Sequence, residues 1–154
     1  MAGKLSLEDI RAKIVEVVED ALSAEVTDKA LEQLYDSAEE VVYGAYEPKI
    51  YHRRKSFTKE EGYDFASDGE MRVRISANAP FNDWHNIEGN SGNEADLIFY
   101  GQDGRYGWTP PNDRFPTYML SRPWIDDAYD KLSSGDALKN TMASALKARG
   151  LRVK

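Results

Sequence analysis

Apolar residues recur every three or four positions through the first third of the chain, a spacing typical of amphipathic helices. Ser6 precedes the first apolar stripe and Asp9 follows three residues later, a pair that resembles a capping box at a helix start. Thr27 is a plausible N-cap for a second helix, which would end before Pro48 because the residue preceding a proline avoids the helical conformation. The pattern is equally compatible with one long helix that is kinked near Val26. The stripe positions are Leu7, Ile10, Ile14, Val17, Val18 and Leu22 in the first segment, and Ala30, Leu31, Leu34, Tyr35, Ala38, Val41 and Val42 in the second.

A change to alternating apolar and polar residues in the middle of the chain predicts a strand over residues 71–77. The turn signal Asp68-Gly69 lies just before it, so Tyr63–Ala66 is expected to pair with this strand as a hairpin. The short apolar run Ala95–Tyr100 is bounded by turn residues and predicts another strand. Residues 101–121 are rich in Gly, Pro, Asn and Asp, and this composition predicts a long flexible loop.

Helical spacing returns in the last third of the chain. Pro123 suits a first helical position, because its missing N–H would have no partner there in any case. A break at residues 133–135 divides the pattern, and Asp136 can cap the segment that follows, although a single continued helix is the alternative. Gly150 lies where a helix commonly ends in the left-handed conformation. The order of helices, small antiparallel sheet and C-terminal helix predicts one α+β domain over residues 1–154.

Length and composition narrow the class of protein. The chain has 154 residues, enough for one domain whose core needs no covalent staple. It contains no cysteine and two histidines, which excludes disulfides, thiolate metal sites and a cysteine nucleophile. The first residues lack the features of a signal peptide, and no apolar run reaches the roughly 20 residues of a membrane span. We therefore expect a protein that is first located in a cytoplasm and has no membrane partner.

The net charge of −7 is concentrated at one end of the chain. Residues 1–47 carry 12 acidic and 4 basic side chains, whereas residues 48–79 carry 5 and 7. An acidic chain disfavours general nucleic-acid binding, which needs a basic face. Three interpretations of the basic, aromatic run Tyr51–Phe57 stay open: it could bind nucleic acid, pair with an acidic face of another copy, or pair within its own chain. The second is favoured over the first.

Two segments resemble parts of catalytic or cofactor sites. Asp83, His85 and Glu88 could perform acid–base or metal chemistry, but their spacing matches no recognised catalytic motif, and a polar surface loop is the favoured interpretation. The glycine-rich run Gly101–Gly107 lacks the Gly-Lys-Ser/Thr ending of a phosphate-binding loop. We expect a turn-rich loop there.

A third candidate is the acidic cluster of Asp126, Asp127 and Asp130 beside Pro123. Its spacing fits no calcium loop, whereas carboxylates are favourable in the first turns of a helix. Since no catalytic signature remains, we expect neither enzymatic activity nor a bound metal or cofactor.

Four short motifs, taken together, resemble a known family. They are VVYGAYEPKIYHRR at residues 41–54, RVRIS at 72–76, LIFYG at 97–101 and SRPWI at 121–125. Their order resembles that of the tail-completion or neck proteins at the head–tail junction of long-tailed bacteriophages, especially those of Gram-positive hosts. The resemblance covers most of residues 28–149.

This resemblance implies a structural virion protein with an α+β fold and no catalysis. Such proteins form a ring of identical subunits that contacts connector, portal or tail-tube proteins, with DNA at most passing through the lumen. The implied location is the virion, after synthesis in the bacterial cytoplasm. The polar insert at residues 80–94 departs from the family pattern. The candidate interface residues are Tyr51, Arg53, Arg54, Lys55, Trp108, Arg122 and Trp124.

Two other functions remain as alternatives to a connector subunit. The first is a small acidic regulatory or inhibitor module that binds a basic protein partner. The second is a small metal-dependent hydrolase that uses Asp83, His85 and Glu88.

Overall fold

The computed structural model describes residues 6–45, 55–67, 71–78 and 121–153. These residues form a long N-terminal helix, a two-stranded antiparallel sheet and two C-terminal helices, which confirms the predicted α+β class. The predicted strand Ala95–Tyr100 and nearly all of the predicted loop lie outside the described residues.

The N-terminal third is one continuous helix. Helix α1 spans Leu7–Ala21 and α2 spans Thr27–Ser37, and the π-helical segments Leu22–Val26 and Ala38–Tyr43 continue them. The backbone keeps right-handed helical torsions at each junction. At 1.5 Å per residue the whole helix is about 55 Å long. We call it the long helix.

The long helix starts as predicted, but the helix start predicted at Thr27 is absent. The Ser6 hydroxyl accepts a hydrogen bond from the Asp9 backbone N–H at 3.1 Å, and the Asp9 carboxylate accepts one from the Ser6 N–H at 3.0 Å, which confirms the capping box. The prediction of Thr27 as an N-cap is wrong. Its N–H and its hydroxyl both donate to the carbonyl of Leu22, five residues earlier, so the helix absorbs the residue as a π turn instead of ending.

The predicted hairpin is confirmed. Strand β1 spans Tyr63–Ser67 and pairs antiparallel with β2, Val73–Ala77, so that Tyr63 faces Ala77 and Ser67 faces Val73. The apolar residues of β2 are half-buried and the polar ones exposed, as the alternation predicts. Met71 precedes the strand with a φ of 56°, and its N–H donates to the Glu19 carboxylate of α1 at 3.4 Å.

Helix α3 spans Trp124–Ser133 and α4 spans Ala137–Ala148, so the predicted break between two helices is confirmed. Pro123 is the N-cap residue, one position before Trp124, and not the first helical residue that the sequence predicts. Gly150, with a φ of 87°, ends α4 in a Schellman arrangement: its N–H donates to Lys147, and the N–H of Leu151 donates to Leu146.

The core lies at the C-terminal end of the long helix. There α2 and the second π segment meet the segment at residues 55–62, β1 and α3. Gly62 is required in this packing, because a Cβ atom there would lie 2.3 Å from the carbonyl oxygen of Ser56. Helix α4 crosses the first π segment, where Arg149 forms two hydrogen bonds of 2.8 and 2.9 Å to the Glu25 carboxylate. The buried core residues are Leu31, Leu34, Ala38, Val42, Phe57, Tyr63, Trp124 and Ala128.

Candidate functional site

Three of the seven predicted interface residues lie within the described part of the chain: Lys55, Arg122 and Trp124. The structure brings all three to the C-terminal end of the long helix. The other four lie outside the described residues: Tyr51, Arg53, Arg54 and Trp108.

Lys55 is bound within its own chain. Its ammonium group forms an ion pair with the Glu39 carboxylate and lies 5.8 Å from the centre of the Tyr43 ring. The C-terminal end of a helix carries partial negative charge, so a cation is favourable there. For this one residue of the basic run, the structure therefore shows the intramolecular pairing that the sequence left open.

Arg122 is half-buried at the same helix end. Its guanidinium donates to the Val42 carbonyl oxygen at 3.4 Å, one of the carbonyls that a helix terminus leaves without an intrahelical partner. The side chain therefore fastens the approach to α3 onto the long helix.

The prediction of Trp124 as an interface residue is corrected, because its side chain is completely buried. Its ring packs on Phe57 with a centroid distance of 4.7 Å, and its indole N–H donates to the Tyr63 hydroxyl at 3.2 Å. The Tyr63 hydroxyl in turn donates to the Phe57 carbonyl at 3.0 Å, and the Phe57 N–H donates to the Tyr43 hydroxyl. Burial raises the pKa of Tyr63, so the phenol stays protonated and able to donate.

The acidic cluster of α3 occupies the helix positions that the sequence predicts. Asp126 and Asp127 lie in the first turn, where the helix dipole favours carboxylates. Asp127 forms an ion pair with Lys131 at 2.8 Å, and Lys131 also forms one with Glu40 of the long helix at 2.7 Å. Hydrogen bonds from Lys131 and then Ser37 lower the pKa of Asp127.

Within the described part of the chain, an exposed apolar surface that the sequence pattern does not predict lies at the N-terminal end of the long helix. Leu7, Ile10 and Ile14 are 83%, 43% and 44% exposed. We call these three residues the α1 stripe. Their three-to-four spacing was visible in the sequence, but spacing gives the side of a helix and not what covers it.

A second exposed apolar surface lies on α3. Ile125 and Tyr129, four residues apart, are 37% and 69% exposed. Asp126 and Asp130 lie beside them and are also exposed. We call these four residues the α3 patch.

Other candidate groups yield no site in the described ranges. Asp83, His85 and Glu88 and the run Gly101–Gly107 lie outside them. Among the residues that the structure does describe, there is no group of three or more His, Asp or Glu side chains that could hold a metal ion. Within the same residues, no helix has both the length and the apolar character needed to cross a bilayer.

Comparison with known proteins identifies one family. The family model described as YomN matches residues 6–148, nearly the whole chain. No curated protein and no solved structure matches.

Proposed function

We propose that this chain, which belongs to the YomN family, is a structural subunit of the head–tail junction of a tailed bacteriophage. In this proposal it acts by assembling with copies of itself, as a ring, and by docking to portal-side or tail-side proteins. It performs no catalysis, and its final location is the virion.

The observation that carries this proposal is the α1 stripe. Three large apolar side chains are exposed on one side of a helix. Its capping box is fully formed, so the exposed surface lies on a stabilised helical turn. Contiguous apolar surface of this kind is typical of protein contact sites in otherwise polar monomers. The four sequence motifs that resemble neck proteins support the head–tail junction as the place of that contact.

The test uses the phage or prophage that encodes the chain. We expect quantitative mass spectrometry of purified particles to find the chain in a small, fixed number of copies, and we expect its deletion to yield filled heads separate from tails. Restoring the gene in trans should restore joined particles. Complete, infectious particles that lack the chain would overturn the proposal.

A specific observation also supports the acidic regulatory module as a second candidate. Some exposed carboxylates of the long helix form no ion pair with any other described residue. They are those of Glu8, Asp20, Asp28 and Asp36. A basic protein partner could neutralise them. The same deletion separates the two candidates, because a regulatory module would leave particle structure intact while the tagged chain co-purified with one basic partner.

A further inference from the structure

The α1 stripe has basic borders. At 100° per residue around a helix, Arg11 and Lys13 lie on opposite sides of the line through Leu7, Ile10 and Ile14. Lys13 pairs with the exposed Glu16 of its own helix at 2.9 Å, whereas Arg11 forms no ion pair with any described residue. A surface that covers the stripe would therefore gain from acidic side chains beside its apolar ones.

The α3 patch has that composition. Its apolar members, Ile125 and Tyr129, share one side of α3, and Asp126 and Asp130 follow them around the helix toward solvent. Neither carboxylate forms an ion pair within the described part of the chain. The α3 patch is thus apolar and acidic, and the α1 stripe is apolar with basic borders.

The two surfaces lie at opposite ends of the long helix. Helix α3 is fastened to the C-terminal end of the long helix, through Lys131 to Glu40 and through Arg122 to Val42. Ile10 precedes Glu40 by about 45 Å of helix axis at 1.5 Å per residue. Since the long helix is continuous, one molecule cannot bring its own stripe onto its own patch.

We propose that the α1 stripe of one copy docks on the α3 patch of the next. Leu7, Ile10 and Ile14 pack against Ile125 and Tyr129, while Arg11 and Lys13 face Asp126 and Asp130. The contact is head-to-tail, which closes into a ring where the rotation between neighbours permits it. This inference rests on the self-assembly in the proposed function and adds the two surfaces that perform it.

A complementary charge exchange tests the contact. The first variant carries Arg11→Glu and Lys13→Glu, and the second carries Asp126→Lys and Asp130→Lys. Each alone places like charges across the contact, and we expect its dissociation constant for self-association to rise at least about tenfold over the wild-type chain. An equimolar mixture restores opposite charges at every contact, so we expect association to recover in the mixture. Sedimentation velocity over a concentration series at low ionic strength measures all four samples.

Matched controls keep the change in net charge and move it elsewhere. Lys139→Glu with Lys147→Glu, on exposed positions of α4, matches the first variant, and Asp28→Lys with Asp36→Lys, on exposed positions of α2, matches the second. Both controls should associate as the wild-type chain does. Circular dichroism and thermal melting verify that each variant folds.

The outcomes separate this contact from the function proposed above. The contact is supported when association recovers in the mixture and both control variants associate as the wild-type chain does. Variants that associate like the wild-type chain, a wild-type chain that stays monomeric, or loss of association without recovery in the mixture each overturn it. The location of the chain in particles is measured independently, so the junction role can stand when this contact fails.

Discussion

At its C-terminal end the long helix packs Leu31, Leu34 and Ala38 against aromatic side chains from three other segments, whereas at its N-terminal end Leu7 and Ile10 face water. Both ends carry apolar residues at the same three-to-four spacing. The C-terminal end therefore forms the core of the described fold, and the N-terminal end is an exposed apolar surface. The two ends differ in what covers their apolar side chains, so substitutions at the two ends should have different effects on stability.

The largest effect is expected from truncating the core end. Trp124→Ala removes a fully buried indole that packs on Phe57, so we expect the free energy of unfolding to fall by about 3–5 kcal/mol. Ile10→Ala at the other end removes a side chain that is already 43% exposed in the single chain, and we expect a change within about 0.5 kcal/mol at concentrations where the chain is monomeric. Urea denaturation followed by circular dichroism measures both. Equal losses in the two variants would contradict the contrast between the ends.

A smaller effect is expected from the hydrogen bonds of the core end. Tyr63→Phe keeps the ring but leaves the Trp124 indole N–H and the Phe57 carbonyl without their shared partner, so we expect a loss of about 1–3 kcal/mol. Tyr129→Phe is the matched control, because the Tyr129 side chain is 69% exposed and its hydroxyl can be hydrated. Equal stability of the two variants in urea denaturation would show that the buried chain of hydrogen bonds contributes nothing net.

The features predictable from the sequence are those that depend on near neighbours in the chain. The capping box at Ser6 and Asp9, the hairpin of β1 and β2, and the left-handed Gly150 each follow from spacing or from a single residue's conformational freedom, and each is confirmed. Their physics is contained within a few residues, so the local sequence is sufficient.

The features that the sequence did not predict depend on distant parts of the chain. Trp124 follows a proline at a helix start, and a surface tryptophan would have the same local sequence; Phe57 and Tyr63, more than 60 residues away, bury it. In the same way, Thr27 has the chemistry of an N-cap, but the helix before it continues, and its hydroxyl returns to Leu22. The α1 stripe is the opposite case: its periodicity matches that of a core helix, but no distant segment of the described chain covers it.

The smallest effect on stability is expected from single carboxylates at the two ends of the long helix, and it depends on pH. Hydrogen bonds from Ser6 lower the pKa of Asp9 at the N-terminal end, and those from Lys131 and Ser37 lower the pKa of Asp127 at the core end. A lowered pKa in the folded state means that the unfolded chain binds more protons in the acid range. The stabilisation is therefore complete above the unfolded value of about 3.9 and is lost as the pH falls through the folded value.

Asp127→Asn should lower the free energy of unfolding by about 0.5–1 kcal/mol at pH 7, since its partly exposed ion pair is screened by solvent. Its deficit relative to the wild-type chain should shrink as the pH falls below the unfolded value of about 3.9, because the folded carboxylate then keeps a charge that the unfolded one loses. Asp9→Asn should change the free energy of global unfolding less than Asp127→Asn does, and it should accelerate amide hydrogen exchange in the first turn of α1, because that turn supports no core. Urea denaturation from pH 3 to pH 7 and hydrogen exchange measure the two. An Asp127→Asn deficit that stays constant over this pH range would assign its effect to packing rather than to charge.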